Sequence, residues 1–345
     1  MSNSQHILLA GEFYPASTTD GIDQGMRMLG LAVHRVDLAR ISPSPSSTLE
    51  KIACRLLQPI QVKRYNRRII ETAKQSQPDF LLTIKGAHIQ AVTLARLAEM
   101  GIPSTNYYPD FHFSYPGIAE STFSCYTNFV TTKSFQIGYL QKILEPKRVH
   151  FLHHGYVDHL HFPFTQTKNC QYLYDVQYIG NHTVEKERWL TDIKKKLPNV
   201  TLRIIGNRWT SVSKDSNLLT SITGYPLYGR RYAQAVQEAK INLAVHMGTT
   251  DASNWQDLVS TRTFEIPACK GFMLHIDNME VQQLFLPGRE IDVFQCEDSL
   301  CDKISWYLKH DEIRHAMADR AYRRCVPDYG YNRRAKSLLQ LMAPG

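Results

Sequence analysis

Short apolar runs of strand length alternate along the chain with longer segments of helical period, and the alternation occurs twice. The first series opens with HILLA (6–10), a buried strand. Gly11 and a loop of small and polar residues lead to a helical segment ending near Gly30. LAVHRVDLAR (31–40) holds a second strand, and the Pro/Ser-rich ISPSPSSTLE (41–50) is a loop. A basic amphipathic helical region follows from about Leu49 to Gln75, with a break or kink expected at Pro59. PDFLLTIKG (78–86) reads as a strand, then a helix from about Gln90 to Met100 and a strand near Pro103–Tyr108. FVTTKSF (129–135), a helix to about Leu144 and RVHFLHHG (148–155) extend the series.

The polar, turn-rich PFTQTKNCQYLY (163–174) interrupts the pattern. DVQYIG (175–180) then starts a second series. It runs through a charged helix (Lys186–Leu197), VTLRIIG (200–206), a helix (Arg230–Lys240), INLAVH (241–246), the helical TRTFEIPAC (261–269) and GFMLHI (271–276). Helices over Asp298–Leu308, Asp311–Cys325 and Tyr331–Met342 close it. Such alternation predicts two doubly wound α/β halves. The expected division is an N-terminal domain at 1–162, a linker at 163–174, a C-terminal domain at 175–325 and a closing segment at 326–345. Ligands of such sheets bind beyond the carboxyl ends of the strands, so a cleft between the halves is the expected site.

Composition narrows the function classes. The 345 residues exceed one ordinary core, in line with two domains. No apolar run approaches the roughly 18–20 residues that cross a bilayer. MSNSQHILLAGEF has no basic start, so no signal peptide and a cytoplasmic location are expected. The seven cysteines form no C-x-x-C pair, which argues against a zinc ribbon or disulfide framework. The net charge of +8 is spread in short clusters, without a run of five. It suits a phosphorylated small molecule or an anionic membrane, and no nucleic-acid partner is expected.

The richest chemistry lies in DLVSTRTFEIPACKGFMLHIDNMEVQQLFLPGRE (257–290). Ser260 and Thr261 stand at a helix start, where hydroxyls cap free N–H groups. A helix start beside Arg262 is a ready diphosphate site. Glu265, one turn in, can accept hydrogen bonds from a ribose diol. Pro267 marks a short or kinked helix, and Gly271 is expected to end it. The same residues also fit a plain capped helix with a surface Arg262–Glu265 salt bridge.

R-T-F-E-I-P-A-C-K-G-F-M-L followed by E-V-Q-Q-L-F-L-P-G-R-E-I resembles the C-terminal domain of CgeB-like and related group-1 glycosyltransferases. Asp257 and Glu265, with seven residues between them, resemble the E-x7-E pair of retaining GT-B enzymes, with Asp in place of the first Glu. Residues 149–164 resemble the end of the N-terminal half of these enzymes. YDVQYIGN (174–181), TLRIIGNRW (201–209) and VPDYGYNRRAKSLL (326–339) resemble two donor-domain strands and the closing helix. The resemblance implies a GT-B fold whose last helix crosses back to the first domain. It implies glycosyl transfer from a UDP-, GDP- or dTDP-sugar, with no metal and no further cofactor. Gly180, Asn181, Gly206, Arg208, Thr261, Arg262 and Glu265 would hold the donor, and Asp257 would lie near the sugar. The acceptor is left open among a glycan, a lipid-linked molecule, a protein and a small molecule.

The N-terminal half matches less well. GEFYPASTTDG (11–21) and NYYPDFHFSY (106–115) follow strands and offer Asp20, Asp110 and His112 as bases for an inverting reaction. Aromatics over 107–126 could stack on an acceptor or pack within the loop. His153, His154, His159 and His161 lack metal-ligand spacing. The basic region around Lys51, Arg55, Lys63, Arg64, Arg67 and Arg68 suggests peripheral membrane contact. Two rival functions remain: a non-catalytic nucleotide-sugar binder, and a nucleotide-sugar epimerase of the same fold.

Overall fold

The structure, a computed structural model, describes residues 5–41, 48–164, 172–212, 216–246 and 255–342. Contacts divide the chain into two compact units. One holds residues 1–154 with 331–345, and the other residues 155–330.

In the first unit, β1 (His6–Gly11) leads through α1 (Thr18–Met28) to β2 (Ala32–Asp37). The short α2 (Leu38–Ile41) and long α3 (Thr48–Ser76) precede β3 (Phe80–Ile84). Then come α4 (Ala91–Glu99), β4 (Ser104–Tyr108), β5 (Asn128–Thr131), α5 (Ile137–Leu140) and β6 (Val149–Phe151). The six strands are parallel in the order β2-β1-β3-β4-β5-β6. β1 and β3 are mostly apolar on both faces, β4 carries Ser104, Thr105, Asn106, Tyr107 and Tyr108, and all three are buried throughout apart from the partly buried His6, as a sheet covered on two sides requires. Pro59 does not end α3, which runs through it; Pro59 itself is exposed.

The second unit repeats the plan. Its strands are β7 (Tyr174–Ile179), β8 (Leu202–Ile205), β9 (Ala239–Ala244), β10 (Met273–Ile276) and β11 (Asp292–Phe294). They are joined by α6 (Val184–Lys196), α7 (Gly229–Gln237), α8 (Thr261–Ala268) and α9 (Met279–Leu284), and followed by α10 (Glu297–Tyr307) and α11 (Asp311–Cys325). The sheet is parallel, in the order β11-β10-β9-β7-β8. Alternate residues feed two cores. Val176, Tyr178, Ile204 and Leu243 pack with Trp189 and Ile193 of α6 and Ile304 of α10. Ile179, Ile205, Ala244 and Met273 pack with Tyr232 of α7 and Phe264 of α8. This is the period-2 alternation of a sheet with helices on both faces.

The final helix, α12 (Tyr331–Met342), belongs to the first unit, where it packs on α1. Gly21 and Gly25 make the approach possible. A Cβ at Gly21 would meet the Tyr331 ring at 2.5 Å, and one at Gly25 the Ala335 Cβ at 2.7 Å.

Each sheet has one topological switch point, where neighbouring strands leave in opposite directions and the crevice opens for ligands. In the first sheet it lies between β1 and β3, and in the second between β7 and β9.

Candidate functional site

The switch point of the second sheet gathers most of the donor candidates. β7 ends at Ile179, and Gly180 and Asn181 turn the chain toward α6. Gly180 N–H donates to Ile205 O at 2.8 Å, and His182 N–H to Asn207 O at 3.0 Å, so the turns after β7 and β8 are tied together. Trp209 Nε1 donates to Gly180 O at 2.9 Å. The two turns touch at Gly206, where φ is +151° and a Cβ would stand 2.1 Å from Gly180 O. Only glycine fits there.

Arg262, in the first turn of α8, spans the crevice. Its Nη2 donates to Val245 O, just beyond β9, at 3.2 Å. Its Nη1 lies 2.7 Å from where a Cβ on Gly180 would be, and its guanidinium carbon is 5.4 Å from the Tyr178 ring centre. The Arg262 Nε and the Tyr178 hydroxyl are buried and have no hydrogen-bond partner among the described residues. Unpaired buried polar atoms are costly, and two of them converge on this crevice. Arg262 therefore points into the sheet end rather than forming the surface salt bridge that the sequence alone allows.

A second cation joins it. Thr183 caps α6 by accepting from the Lys186 N–H at 3.4 Å, which sets Lys186 in the first helical turn. The Lys186 side chain is buried, and its Nζ donates to Asn181 O at 3.3 Å. Burial and then the positive charge of Arg262 push this ammonium down to about 7, against the weaker opposite pull of Asp257 and Glu185. Glu265 is held in the same surroundings. Burial pushes its carboxyl up to about 7, although Arg262 and the Thr261 and Tyr232 hydroxyls favour the charged form. The arrangement thus holds two half-committed charges beside a fixed guanidinium.

A buried polar chain holds the start of α8. Ser260 N–H donates to Thr263 Oγ1 at 3.2 Å, and Thr263 Oγ1 meets His275 Nε2 at 2.9 Å. His275 Nε2 also meets His246 Nε2 at 2.9 Å, and His275 Nδ1 donates to Ile276 O at 2.6 Å. Burial lowers His275 to about 4, so the ring is neutral and its Nε2 is an acceptor. The chain fixes α8 to the ends of β9 and β10.

The helix end differs from the expectation that Gly271 terminates it. Lys270 takes the left-handed position, with φ +61°. Gly271 N–H donates to Ile266 O at 3.0 Å and Lys270 N–H to Pro267 O at 2.9 Å, the paired bonds of a Schellman cap. Gly271 is needed for space instead, since a Cβ there would meet Val236 Cγ1 at 2.4 Å.

Gly180, Gly206, Thr261, Arg262, Glu265 and Asp257 are therefore drawn to one sheet end, with Asp257 acting electrostatically on Arg262 and Lys186. Asn181 and Arg208 are exposed at the rim; Asn181 Oδ1 accepts from Asn207 N–H at 3.2 Å, and Arg208 has a left-handed backbone. Lys186 and the His246–His275 pair escaped the sequence reading. Thr183, three residues before Lys186, is the signal that places that lysine at a helix start.

In the first unit, Asp110 and His112 share the loop after β4. Asp110 Oδ2 is paired with Lys85 Nζ at 2.7 Å, and that ammonium lies 4.4 Å from the Tyr115 ring centre. The His112 ring stacks on Tyr115 at 4.4 Å, and its Nδ1 meets Ser114 Oγ at 2.8 Å. Asp20 sits apart, in the first turn of α1. Its carboxylate accepts from Ala16 N–H at 3.2 Å while Ser17 Oγ accepts from Asp20 N–H at 3.0 Å, a helix-capping exchange. Of the aromatics over 107–126, Tyr107, Tyr108, Phe111, Phe113, Phe123 and Tyr126 are buried. They pack the core, and the half-buried Tyr115 ring is engaged by His112 and Lys85.

Two of the clustered histidines are tied into the fold. His154 Nε2 meets Thr132 Oγ1 at 3.0 Å, and the buried His161 Nδ1 accepts from Val157 N–H at 3.1 Å. Among the described residues, no three His, Cys, Asp or Glu side chains are placed to hold a metal ion. No helix among them is long and apolar enough to cross a membrane.

Residues 183–340 match the family described as "Glycosyl transferase-like". No curated protein matches the chain in sequence. Among solved structures, sucrose-phosphate synthase from Thermosynechococcus elongatus superposes with a TM-score of 0.67 at 11% identity, covering 98% of both chains. A glycosyltransferase from Rickettsia africae gives 0.65 at 12% identity, covering 99% of this chain and 98% of that one. Anabaena HepE in complex with UDP-glucose gives 0.64 at 11% identity, covering 97% and 99%. The chain thus has the two-domain GT-B fold, and its segment 183–340 carries the sequence pattern of the glycosyl transferase-like family.

Proposed function

We propose that the protein transfers a glycosyl group from a nucleoside-diphosphate sugar to an acceptor. The observation that carries this reading is the pair of cations at the β7–β9 switch point, the buried Lys186 and the half-buried Arg262 with its buried Nε. Burial and the charge of Arg262 disfavour the Lys186 ammonium, and the Arg262 Nε has no hydrogen-bond partner among the described residues. Both lie in first helical turns, where backbone N–H groups add to the attraction for phosphate.

In this reading Arg262 and Lys186 hold the diphosphate and stabilise the charge that grows on it as the glycosidic bond breaks. They supply that charge without a divalent metal. Glu265 accepts from the ribose diol, and Gly180 and Gly206 keep the backbone low enough for close approach. Asp257 lies toward the sugar, and Asn181 and Arg208 contribute from the rim. Asp110, Asp20 or His112 would take the acceptor proton in an inverting reaction, whereas a retaining reaction needs no such base. HepE, whose structure holds UDP-glucose, makes UDP-sugars the first donors to test, ahead of GDP- and dTDP-sugars. The proposed location is the cytoplasm.

A non-catalytic binding role has one observation in its favour. Asp110 is engaged by Lys85, His112 by Tyr115 and Ser114, and Asp20 by the α1 cap. Incubating the full chain with each donor, with and without candidate acceptors, separates the readings. Acceptor-dependent release of nucleoside diphosphate supports transfer. Donor conversion without acceptor indicates epimerase chemistry, and binding without turnover indicates a binder. A nucleotide at about 100 times its Kd should stabilise the fold by roughly 2.7 kcal/mol. Absence of a shift with every nucleotide would overturn the donor site itself.

A further inference from the structure

α3 carries an exposed stripe that the donor site does not use. Tyr65, Ile69 and Ala73 are buried and hold the helix to its unit. On the opposite side Leu56, Leu57 and Ile60 are 75%, 49% and 66% exposed. Lys63, Arg64, Arg67 and Arg68 continue the same side and are all exposed. At 3.6 residues per turn, these seven positions fall within roughly 140° of arc. The stripe is divided along its length: the apolar residues come first, and the cations occupy the next two turns. One carboxylate faces them, Glu71, 3.6 Å from Arg67 and 4.0 Å from Arg68. Lys74, a turn further, adds another exposed cation.

Three neighbouring large aliphatic side chains in water are unfavourable, and four cations beside one acid repel each other. A single partner relieves both faults if it offers apolar depth next to negative charge. A polyanion such as nucleic acid has no counterpart for Leu56, Leu57 and Ile60. A bilayer with anionic headgroups has both layers in the right order. We infer that α3 seats the protein on an anionic lipid surface, with Leu56, Leu57 and Ile60 entering the acyl boundary and Lys63, Arg64, Arg67 and Arg68 resting among the headgroups. Long basic side chains reach sideways to phosphates while their stems lie on apolar surface. The inference stands independently of the donor reading, because no donor residue lies on α3.

The test is sedimentation of the full chain with sucrose-loaded vesicles of phosphatidylcholine, with or without about one-third phosphatidylglycerol. The wild type should sediment with the anionic vesicles, and added salt should release part of it by screening the basic turns. L56S/I60S should lower the bound fraction about fivefold or more, and K63Q/R64Q/R67Q/R68Q should abolish the preference for anionic vesicles. All the substituted side chains are exposed, so circular dichroism should show both variants folded. No binding to anionic vesicles would overturn the inference. So would equal binding by wild type and L56S/I60S, which reduces the stripe to general charge attraction. Two further results would replace the lipid by another partner: a concentration-dependent dimer, dispersed by L56S/I60S, without vesicle binding; or oligonucleotide binding tighter than vesicle binding and unchanged in L56S/I60S.

Discussion

The guanidinium of Arg262 occupies the space that a side chain on Gly180 would need. A Cβ there would stand 2.7 Å from Arg262 Nη1 and 2.5 Å from the Tyr178 hydroxyl. Gly180→Ala should therefore push Arg262 off the end of β7. UDP affinity is expected to fall about tenfold or more, equivalent to ~1.4 kcal/mol, by isothermal titration calorimetry. A packing loss of about 1–3 kcal/mol should accompany it in denaturant unfolding. Undiminished affinity in the folded variant would show that Arg262 does not meet the diphosphate.

Lys186 should take up a proton when the diphosphate binds. Its folded value of about 7 lies below its ordinary 10.5, so the unfolded state holds the proton more tightly. Stability without ligand should then rise with pH from about 7 toward 10.5, since the unfolded chain binds more protons across that window. Lys186→Met removes the buried charge and should flatten that rise. Nucleotide affinity should fall by about 10–100-fold, the scale of one charge-assisted contact of ~1.5–3 kcal/mol. Calorimetry in buffers of different ionisation enthalpy at mildly alkaline pH should show proton uptake on UDP binding to wild type and none to the variant.

Glu265 titrates in the opposite sense. Its folded value of about 7 lies above its ordinary 4.5, so the folded state holds the proton more tightly. Its contribution to stability is whole below 4.5 and is lost as pH rises through about 7. Glu265→Gln should weaken that fall. Ribose recognition needs the ionised carboxylate, but loss of the Lys186 proton opposes it over the same range, so the effect is read on the Lys186→Met background: UDP affinity there should climb as pH passes about 7, and adding Glu265→Gln should flatten the profile. An identical profile in both would remove Glu265 from the ribose.

Gly25 is the tightest backbone contact between α1 and α12. A Cβ would lie 2.7 Å from the Ala335 Cβ and 2.9 Å from Tyr331 O. Neither neighbour is the flexible end of a side chain, so the helices must part. Gly25→Ala should cost roughly 1–3 kcal/mol, read as a lower denaturant midpoint. Since Ala is otherwise the better helix former, a gain in stability would contradict the contact.

Where one side chain decides the local structure, the sequence was readable. Ser260–Thr261 before an apolar-periodic run announced α8, and strands β7 and β8 were marked by closing glycines. Chemistry inside an element was harder to see. Lys186 looked like part of a charged helix face. Its burial depends on Asn181 O and Arg262, which arrive from a preceding turn and from a helix more than seventy positions away. Lys270 shows the same limit at a cap. Gly271 has the residue type expected at a left-handed position, yet the crowding against Val236 claims it, and the lysine takes the left-handed turn. The aromatics over 107–126 stayed open between stacking and packing for a related reason: most of their rings fill the first unit's core, which sequence spacing does not reveal.

The placement of α12 also bears on how the chain is made. Its docking face on α1 is synthesised some three hundred residues before α12, which follows residue 330. The second unit, 155–330, is continuous and can close as soon as it is synthesised, whereas the first must wait with Gly21 and Gly25 uncovered until that unit has emerged. The order of completion is therefore reversed relative to the order of synthesis, and the α1 face stays uncovered during that interval.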